Sequence, residues 1–502
     1  MLGGRGMGWI VRLVETGASG RRCSVDVMEI DRPGDLGEIG NLGLSLAEGK
    51  RLLRNVQQRV VATQAREHAG HRRNCETCGS RCQVKDYRTR QIDTAFGRVA
   101  VRLPRFRCAG CGKVVAGASW QAHCRSTPEL DRLRAYLSAS MSYRSAAAVL
   151  KAVLPVEAGC RPETLRNHTL KIGEKLRHAP GIAPSIERSE ISISLDSTFI
   201  RSREPGERHV EVQVGNVEVQ DGARQVFAAA TKTDTEITTI IERRLAEAGR
   251  TAGPRLTAFT DGCSGLRGLL TSVGITEPPI LDWFHIAMGL QHLRQAAQGL
   301  PARDQAQKKA KVVIVEAVER LRWRLWHGKV KDARGTIDRV RSVMRAYHDE
   351  RAQWRKHSAA RQFWAPLLGF DGYLTGQSSW LVNYAERHRA GLRVGTAITE
   401  SAANYLVNRR MNKSQQMRWT RHGADLLLQV RCAVYNGHLT PAFPASPATS
   451  PQPRTTTARR RFSTASASRP RRAEIQNRNA ARPRQHRHRP RCGRADAMRI
   501  GT

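Results

Sequence analysis

Two cysteine knuckles and two strand-end aspartates are the residues of this 502-residue chain whose types and spacing could do chemistry. Cys75 and Cys78 form one C-x2-C unit and Cys108 and Cys111 another, 29 residues apart, each followed by glycine. Four thiolates from two such knuckles can close a tetrahedral structural zinc site. The intervening QIDTAFGRVAVRLPRFR alternates as a hairpin turning near Gly97, so residues 72–124 read as a zinc ribbon. Cys82, His123 and Cys124 stand nearby as spare ligands that a saturated zinc does not need. Asp196 lies in the alternating segment ISISLDSTFIR, with Ile191, Ile193 and Leu195 on one face, and Asp261 closes the short apolar segment LTAFTDG. Carboxylates at strand ends suit hard divalent cations such as magnesium, which take oxygen ligands and keep water or phosphate oxygens of their own.

The elements that must position these residues follow from periodicity. Residues 1–40 show no pattern, and Met28 offers a second point at which translation could begin. Residues 41–71 space Leu52, Val56, Val60 and Val61 as an amphipathic helix. Residues 125–185 hold three short helical stretches, the last opening on Pro162 after a break at Gly159. Arg161, Thr164, Arg166, Asn167 and His168 sit near its start, as in a helix-turn-helix whose final helix enters a major groove. Residues 186–282 read as three strands, a helix and a fourth strand, a mixed α/β order. Residues 283–395 turn helical, with Ile314, Val318, Leu321 and Leu325 on one stripe and tryptophans 323, 326, 354, 364 and 380 expected mainly in the core. Residues 396–436 form a closing helix that opens with Thr399, Glu400 and Ser401, puts Asn404 one turn after Glu400, and carries Arg409, Arg410, Lys413 and Arg418.

Charge narrows the class of partner. With 84 Lys and Arg against 44 Asp and Glu the formal net charge is +40. Residues 437–502 hold 15 Arg, no Lys and 2 acids, so the preceding 436 residues still carry +27, an excess that points to nucleic acid. The ribbon alone carries Lys85, Arg88, Arg90, Arg98, Arg102, Arg105 and Arg107 as a phosphate-contacting surface. No stretch of 18 apolar residues occurs, and Arg12 and Glu15 interrupt the start, which argues against membrane insertion and secretion. Eleven cysteines, five of them crowded between Cys75 and Cys111, suit a reducing compartment with one metal site better than a disulfide scaffold. Residues 437–502 are rich in Pro, Ser, Thr, Ala and Arg without periodicity, and are expected to be a disordered basic tail.

An Asp in the first strand, an Asp after the fourth, a long helical insert and a Glu on a closing helix resemble the order in DDE transposases with a ribonuclease H-like fold. The strings LDSTFIR, FTDGCSGL, LDWFHIAMGLQHL and GTAITESAANYLVNRRMNKSQQMRWT resemble insertion-sequence transposases of the ISKra type, related to the Mutator-like group, over roughly residues 40–436. The tail departs from that group and resembles translation of a GC-rich frame different from the one upstream.

The resemblance implies Asp196, Asp261 and Glu400 as a catalytic triad holding two magnesium or manganese ions, with Asp282 and His285 as an auxiliary signature. It implies water cutting the element's ends and the freed 3′-hydroxyl attacking target DNA, with no covalent enzyme intermediate. Double-stranded DNA is then the partner, as terminal inverted repeats and as target. At least a dimer is expected on a pair of ends, in the bacterial cytoplasm among nucleoid-associated proteins. Lys85, Arg88, Arg90, Arg102, Arg105, Arg166, Asn167, Arg409, Arg410 and Lys413 are the expected DNA contacts. Two other functions use the same features: a catalytically decayed zinc protein occupying transposon ends, and a ribonuclease H-like nuclease without strand transfer.

Overall fold

The computed structural model describes residues 7–439 apart from segments 17–21, 34–37, 72, 119, 121–124, 158, 180–189, 220–221, 223, 232, 251–254, 348–357 and 412–416. Lys413, His123, Cys124, Trp354 and the tail from 440 onward lie outside the described residues.

The N-terminal segment is patterned after all. Strands β1 (Met7–Thr16) and β2 (Arg22–Arg32) pair antiparallel. Two features hide them from periodicity: β1 buries none of its residues, and the register shifts between Val11 and Arg12. Only β2 contributes to a core, through Val27, Met28 and Ile30. Met28 is thus an interior strand residue, and a chain begun there would lack β1 altogether.

Helix α1 (Leu46–Gly70) starts at a capping box: the Ser45 hydroxyl accepts the Glu48 N–H, and the Ser45 N–H donates to the Glu48 carboxylate. Glu48 also pairs with Arg32, and the Asn55 amide donates to the Val27 carbonyl, which docks the first hairpin on α1. Leu52, Val56 and Val61 of the expected stripe are half-buried, while Val60 points to solvent.

Strands β3 (Arg73–Asn74), β4 (Arg81–Thr94), β5 (Gly97–Cys108) and β6 (Val114–Ala116) form an antiparallel sheet in chain order. Thr94 pairs with Gly97, whose φ of 110° admits glycine best, so the turn falls where alternation put it. Ile92, Val99, Val101 and Leu103 pack against Val61 and Ala65 of α1.

Helices α2 (Pro128–Ser140), α3 (Tyr143–Val153) and α4 (Pro162–Arg177) follow, capped by Thr127, Ser142 and the Arg161–Pro162 start. Their core is Leu130, Ala146, Ala147, Leu150, Val156, Cys160 and Leu165.

The central sheet is mixed, in the order β11-β10-β7-β8-β9. Strands β7 (Glu190–Arg201), β8 (His209–Val219) and β9 (Arg224–Ala229) run antiparallel, and β10 (Arg255–Thr260) and β11 (Ile280–Leu281) run parallel to β7. Helices α5 (Asp234–Glu247) and α6 (Ser264–Ser272) cover one face, against Ile191, Ile193 and Leu195. The other face packs Ile200, Val210, Val212 and Val214 against the closing helix, Ala397–Ala403, and the last helix, Arg421–Tyr435.

Between β11 and the closing helix the chain forms the helical insert: α7 (Trp283–Gln298), α8 (Gln305–Trp326), α9 (Val330–Val343), Ala359–Gly376 and Tyr384–Arg389. Ile314, Val318, Leu321 and Leu325 lie in its core, and Trp326, Trp364 and Trp380 pack against it. Trp323 instead is 51% exposed and stacks on His327. No described helix is long and apolar enough to cross a membrane.

Candidate functional site

The period of two along β7 sends Leu195 under α5 and α6 and turns Ser194 and Asp196 toward the closing helix. The buried Ser194 and Thr399 hydroxyls share a hydrogen bond of 2.5 Å, which fixes the closing helix on the strand and brings Glu400 beside Asp196. A carboxylate oxygen of each and a ring nitrogen of His285 all lie within 4.8 Å of one another. Asp196 is 8% exposed; burial, and then the Glu400 charge, push its pKa up to about 6.

Asp261 adjoins this group without joining its tight set of three. It stands two residues beyond the Phe259–Ser194 pair, level with Asp196, and its charge adds to the rise at Asp196. However, β10 ends at Thr260, and the chain turns at Gly262 with φ of 95°. The Asp261 carboxylate there accepts the Cys263 N–H at 2.8 Å, and Tyr373 donates to its carbonyl at 2.9 Å. The implied triad is therefore assembled in part by geometry, with His285 nearer to Asp196 and Glu400 than the second aspartate.

Asp282 explains the position of His285. Its fully buried carboxylate accepts the N–H groups of Phe284 and Thr396 at 2.9 and 2.8 Å, the Thr396 hydroxyl, and His285 Nδ1 at 2.8 Å. Its own N–H donates to the Thr260 carbonyl at 2.9 Å. One side chain thus ties the end of β10, the start of α7 and the approach to the closing helix. Burial would raise its pKa, yet the bonds from His285 and Thr396 hold it below the ordinary carboxylate value. The same Asp282 bond raises the His285 pKa and leaves Nε2 directed at Glu400, 3.6 Å away. Gly395 is required here, since a Cβ on it would stand 2.5 Å from Asp282 Oδ1.

Gly395, Thr396 and Ser194 shape this cluster without having been singled out from the sequence, and Thr399 was named there only as part of a helix start. The string GTAITES contains three of them, but a loop residue that hydrogen-bonds a distant carboxylate leaves no periodic signal. The Asn404 N–H donates to the Glu400 carbonyl, so the two residues lie one turn apart, and the plain helix gives way to a π-helical turn over Asn404–Asn408.

The second cluster lies at the base of the β4–β5 hairpin. Cys75 Sγ is 3.7 Å from Cys111 Sγ, and Cys78 Sγ is 3.4 Å from Cys108 Sγ. Zinc–sulfur bonds of about 2.3 Å in a tetrahedron set sulfurs about 3.8 Å apart, so the four thiols fit a metal of that kind. Hydrogen bonds from the Ser80 side chain and backbone lower the Cys78 thiol pKa, whereas Cys111, despite its Lys113 backbone bond, is raised by the neighbouring Cys108 and Cys78 thiols. Cys82 stands outside the group of four.

The expected cationic surface is divided. In β4 and β5, Arg88 and Arg90 pair with Leu103 and Val101 and so share the α1-facing side, while Arg102 lies on the opposite side, over the Tyr87 ring. Lys85 occupies the register shift between Val84 and Asp86 and is exposed. Arg105 is not a free contact: the shift sets it directly across from Asp86, which takes its guanidinium in a two-pronged ion pair. Arg98 is likewise paired, with Asp93 at 2.7 Å. On α4, Arg166 and Asn167 are exposed, but His168 turns inward to Asp131 at 2.8 Å. Arg409 is exposed, whereas Arg410 is 2% exposed, donates to the Ser138 carbonyl and lies between the Tyr143 and Trp419 rings. Arg410 is thus part of the joint between the three-helix module and the core, because helical periodicity around Arg409 cannot tell which neighbour that face meets. No family model matches the chain, and no curated protein matches it.

Proposed function

We propose that the chain is a DNA transposase with a ribonuclease H-like core, which binds insertion-sequence ends and performs metal-dependent cleavage and strand transfer. The observation that carries this is the convergence of Asp196, Glu400 and His285 from separate elements, with Asp261 just past the end of the adjoining strand. That is the order of acids the resemblance implies, on a sheet whose central strand bears the first of them. The raised Asp196 pKa supports a cation site, because crowded buried carboxylates gain most from a positive charge.

Asp196, Asp261 and Glu400 would hold two magnesium or manganese ions. When bound, such ions stabilise the attacking and leaving oxygens of an in-line phosphoryl displacement. Asp196, the most buried of the three, anchors the site from the rigid middle of the sheet. Glu400 is positioned by the Ser194–Thr399 bond, and His285, held at Nδ1 by Asp282, offsets the paired carboxylate charge through Nε2. The four cysteines would hold one structural zinc, which fixes the hairpin and the cations on both of its sides. The exposed Lys85, Arg88, Arg102, Arg166, Asn167 and Arg409 suit double-stranded DNA, and a pair of ends calls for at least two chains.

Strand transfer distinguishes this function from simple hydrolysis. Duplexes ending in a free 3′-hydroxyl at the element's terminal repeat, incubated with supercoiled plasmid and magnesium, should yield joined products with the wild-type chain and none with Asp261→Asn. Nicked plasmid without joined products would reduce the activity to that of a nuclease. Inert duplex and plasmid would refute metal-dependent cleavage.

A further inference from the structure

A second concave site lies between the three-helix module and the core. It is a cavity of about 220 Å³, and its walls include Arg166 from α4, Arg203 from the turn after β7, Arg410, Arg418 and Thr420. Four arginines from three parts of the chain line it, with no acid among its described lining residues. Arg410 is a built part of this wall: it is 2% exposed, clamped by Tyr143 and Trp419, and its Nη2 has no hydrogen-bond partner. A buried cation with an unmatched donor is costly unless an anion offsets it. The last helix, Arg421–Tyr435, begins at the same place, with Thr420 as its cap. Arg166 Nη2 lies 4.0 Å from where a Cβ on Gly423 would stand, so this guanidinium sits at the helix N-terminus, where the helix dipole also favours negative charge. Two acids of the adjoining concavity, which Arg203 and Arg418 also line, are engaged: Glu204 accepts the Arg421 N–H at 2.9 Å, and Glu207 pairs with the Arg421 guanidinium at 3.0 Å.

We propose that this cavity binds a phosphate group of the DNA backbone, and that one phosphate there joins the three-helix module to the catalytic core. The inference rests on the DNA-binding function proposed above and adds to it a defined anchoring site. Arg166, Arg203 and Arg418 are exposed and reach the phosphate oxygens, while Arg410 supplies charge from beneath. The sequence hides such a site because its arginines are scattered over more than 250 positions.

The test is the salt dependence of binding to a labelled duplex by the full chain, compared with Arg166→Gln, Arg203→Gln and Arg418→Gln. All three are exposed, so folding is preserved, and matching circular dichroism checks this. Each lost phosphate contact flattens the slope of log K against log salt by about 0.9. The expected result is a shallower slope and weaker binding for each variant, and no further loss when Arg166→Gln and Arg203→Gln are combined beyond that of losing the one shared phosphate. Unchanged slopes in variants of a chain that binds duplex would overturn the site and leave the DNA function standing. A wild-type chain that ignores duplex but is stabilised by inorganic phosphate, an effect lost in Arg166→Gln, would overturn the backbone assignment and the DNA function together. Indifference to both duplex and phosphate would overturn the site outright.

Discussion

Replacing Asp196 by Asn should stabilise the metal-free protein. The carboxyl titrates at about 6 in the fold against an ordinary value of 3.8, a rise worth about 3 kcal/mol. Because the folded pKa is raised, the folded state binds the proton more tightly. Stability therefore falls as pH climbs from about 4 to about 6, and the full cost is present above that window. Asparagine keeps the side-chain oxygen that accepts the Ser197 N–H and removes the charge that faces Glu400 and Asp261. At pH 8 in a chelating buffer, scanning calorimetry should place the Asp196→Asn core transition higher by roughly 6 to 12 °C. The gap should largely close by pH 4, where Asp196 is protonated in the wild type. Magnesium at about 100 times its dissociation constant should return about 2.7 kcal/mol to the wild type and little to the variant. Equal midpoints at pH 8, or a gap independent of pH, would refute the compressed acidic cluster.

Other consequences are as concrete. Gly395→Ala should lower the core transition by about 1–3 kcal/mol and weaken manganese binding measured by calorimetry, because its Cβ would displace Asp282 Oδ1 from the Thr396 N–H. Asp282→Asn should lower the His285 pKa, followed by NMR titration of the imidazole, since the bond from Asp282 is what raises it; an unchanged titration would remove Asp282 from that role. Elemental analysis should find one zinc per chain and none in Cys108→Ser, and a wild-type chain without zinc would rule out the metal ribbon. Asp261→Asn should bind duplex as the wild type does and fail to cut it; retained cleavage would take Asp261 out of the site.

Much of the architecture was legible where one face of an element meets one kind of neighbour. The β7 alternation of Ile191, Ile193 and Leu195, the α8 stripe from Ile314 to Leu325 and the turn at Gly97 all repeat at the period of their element. The first hairpin was not legible, because β1 has no buried side and so no contrast to read. The surroundings of Arg105 and Arg410 were hidden for a related reason: charge in a sequence announces a cation but not the Asp86 across the strand from the one or the Tyr143 and Trp419 rings around the other. At the acidic site, Asp196 was visible as a carboxylate within a strand and Asp261 as one at a strand end, whereas Glu400 depended on resemblance. Its physical justification, the Ser194–Thr399 bond, spans 205 positions and has no local trace. Asp282 as the knot of three segments is likewise a tertiary fact.

The central claim is that Asp196, Asp261 and Glu400 direct metal-dependent cutting of DNA at an element's end. It is tested most directly by strand cleavage of a labelled duplex carrying the terminal repeat, with magnesium or manganese, for the full chain, a chain ending at Asn436 and Asp196→Ala. Cutting at the repeat boundary is expected from the first two and none from the third. Binding of the repeat by all three, with no cutting in either metal, would contradict it and leave a zinc protein that occupies transposon ends without acting on them.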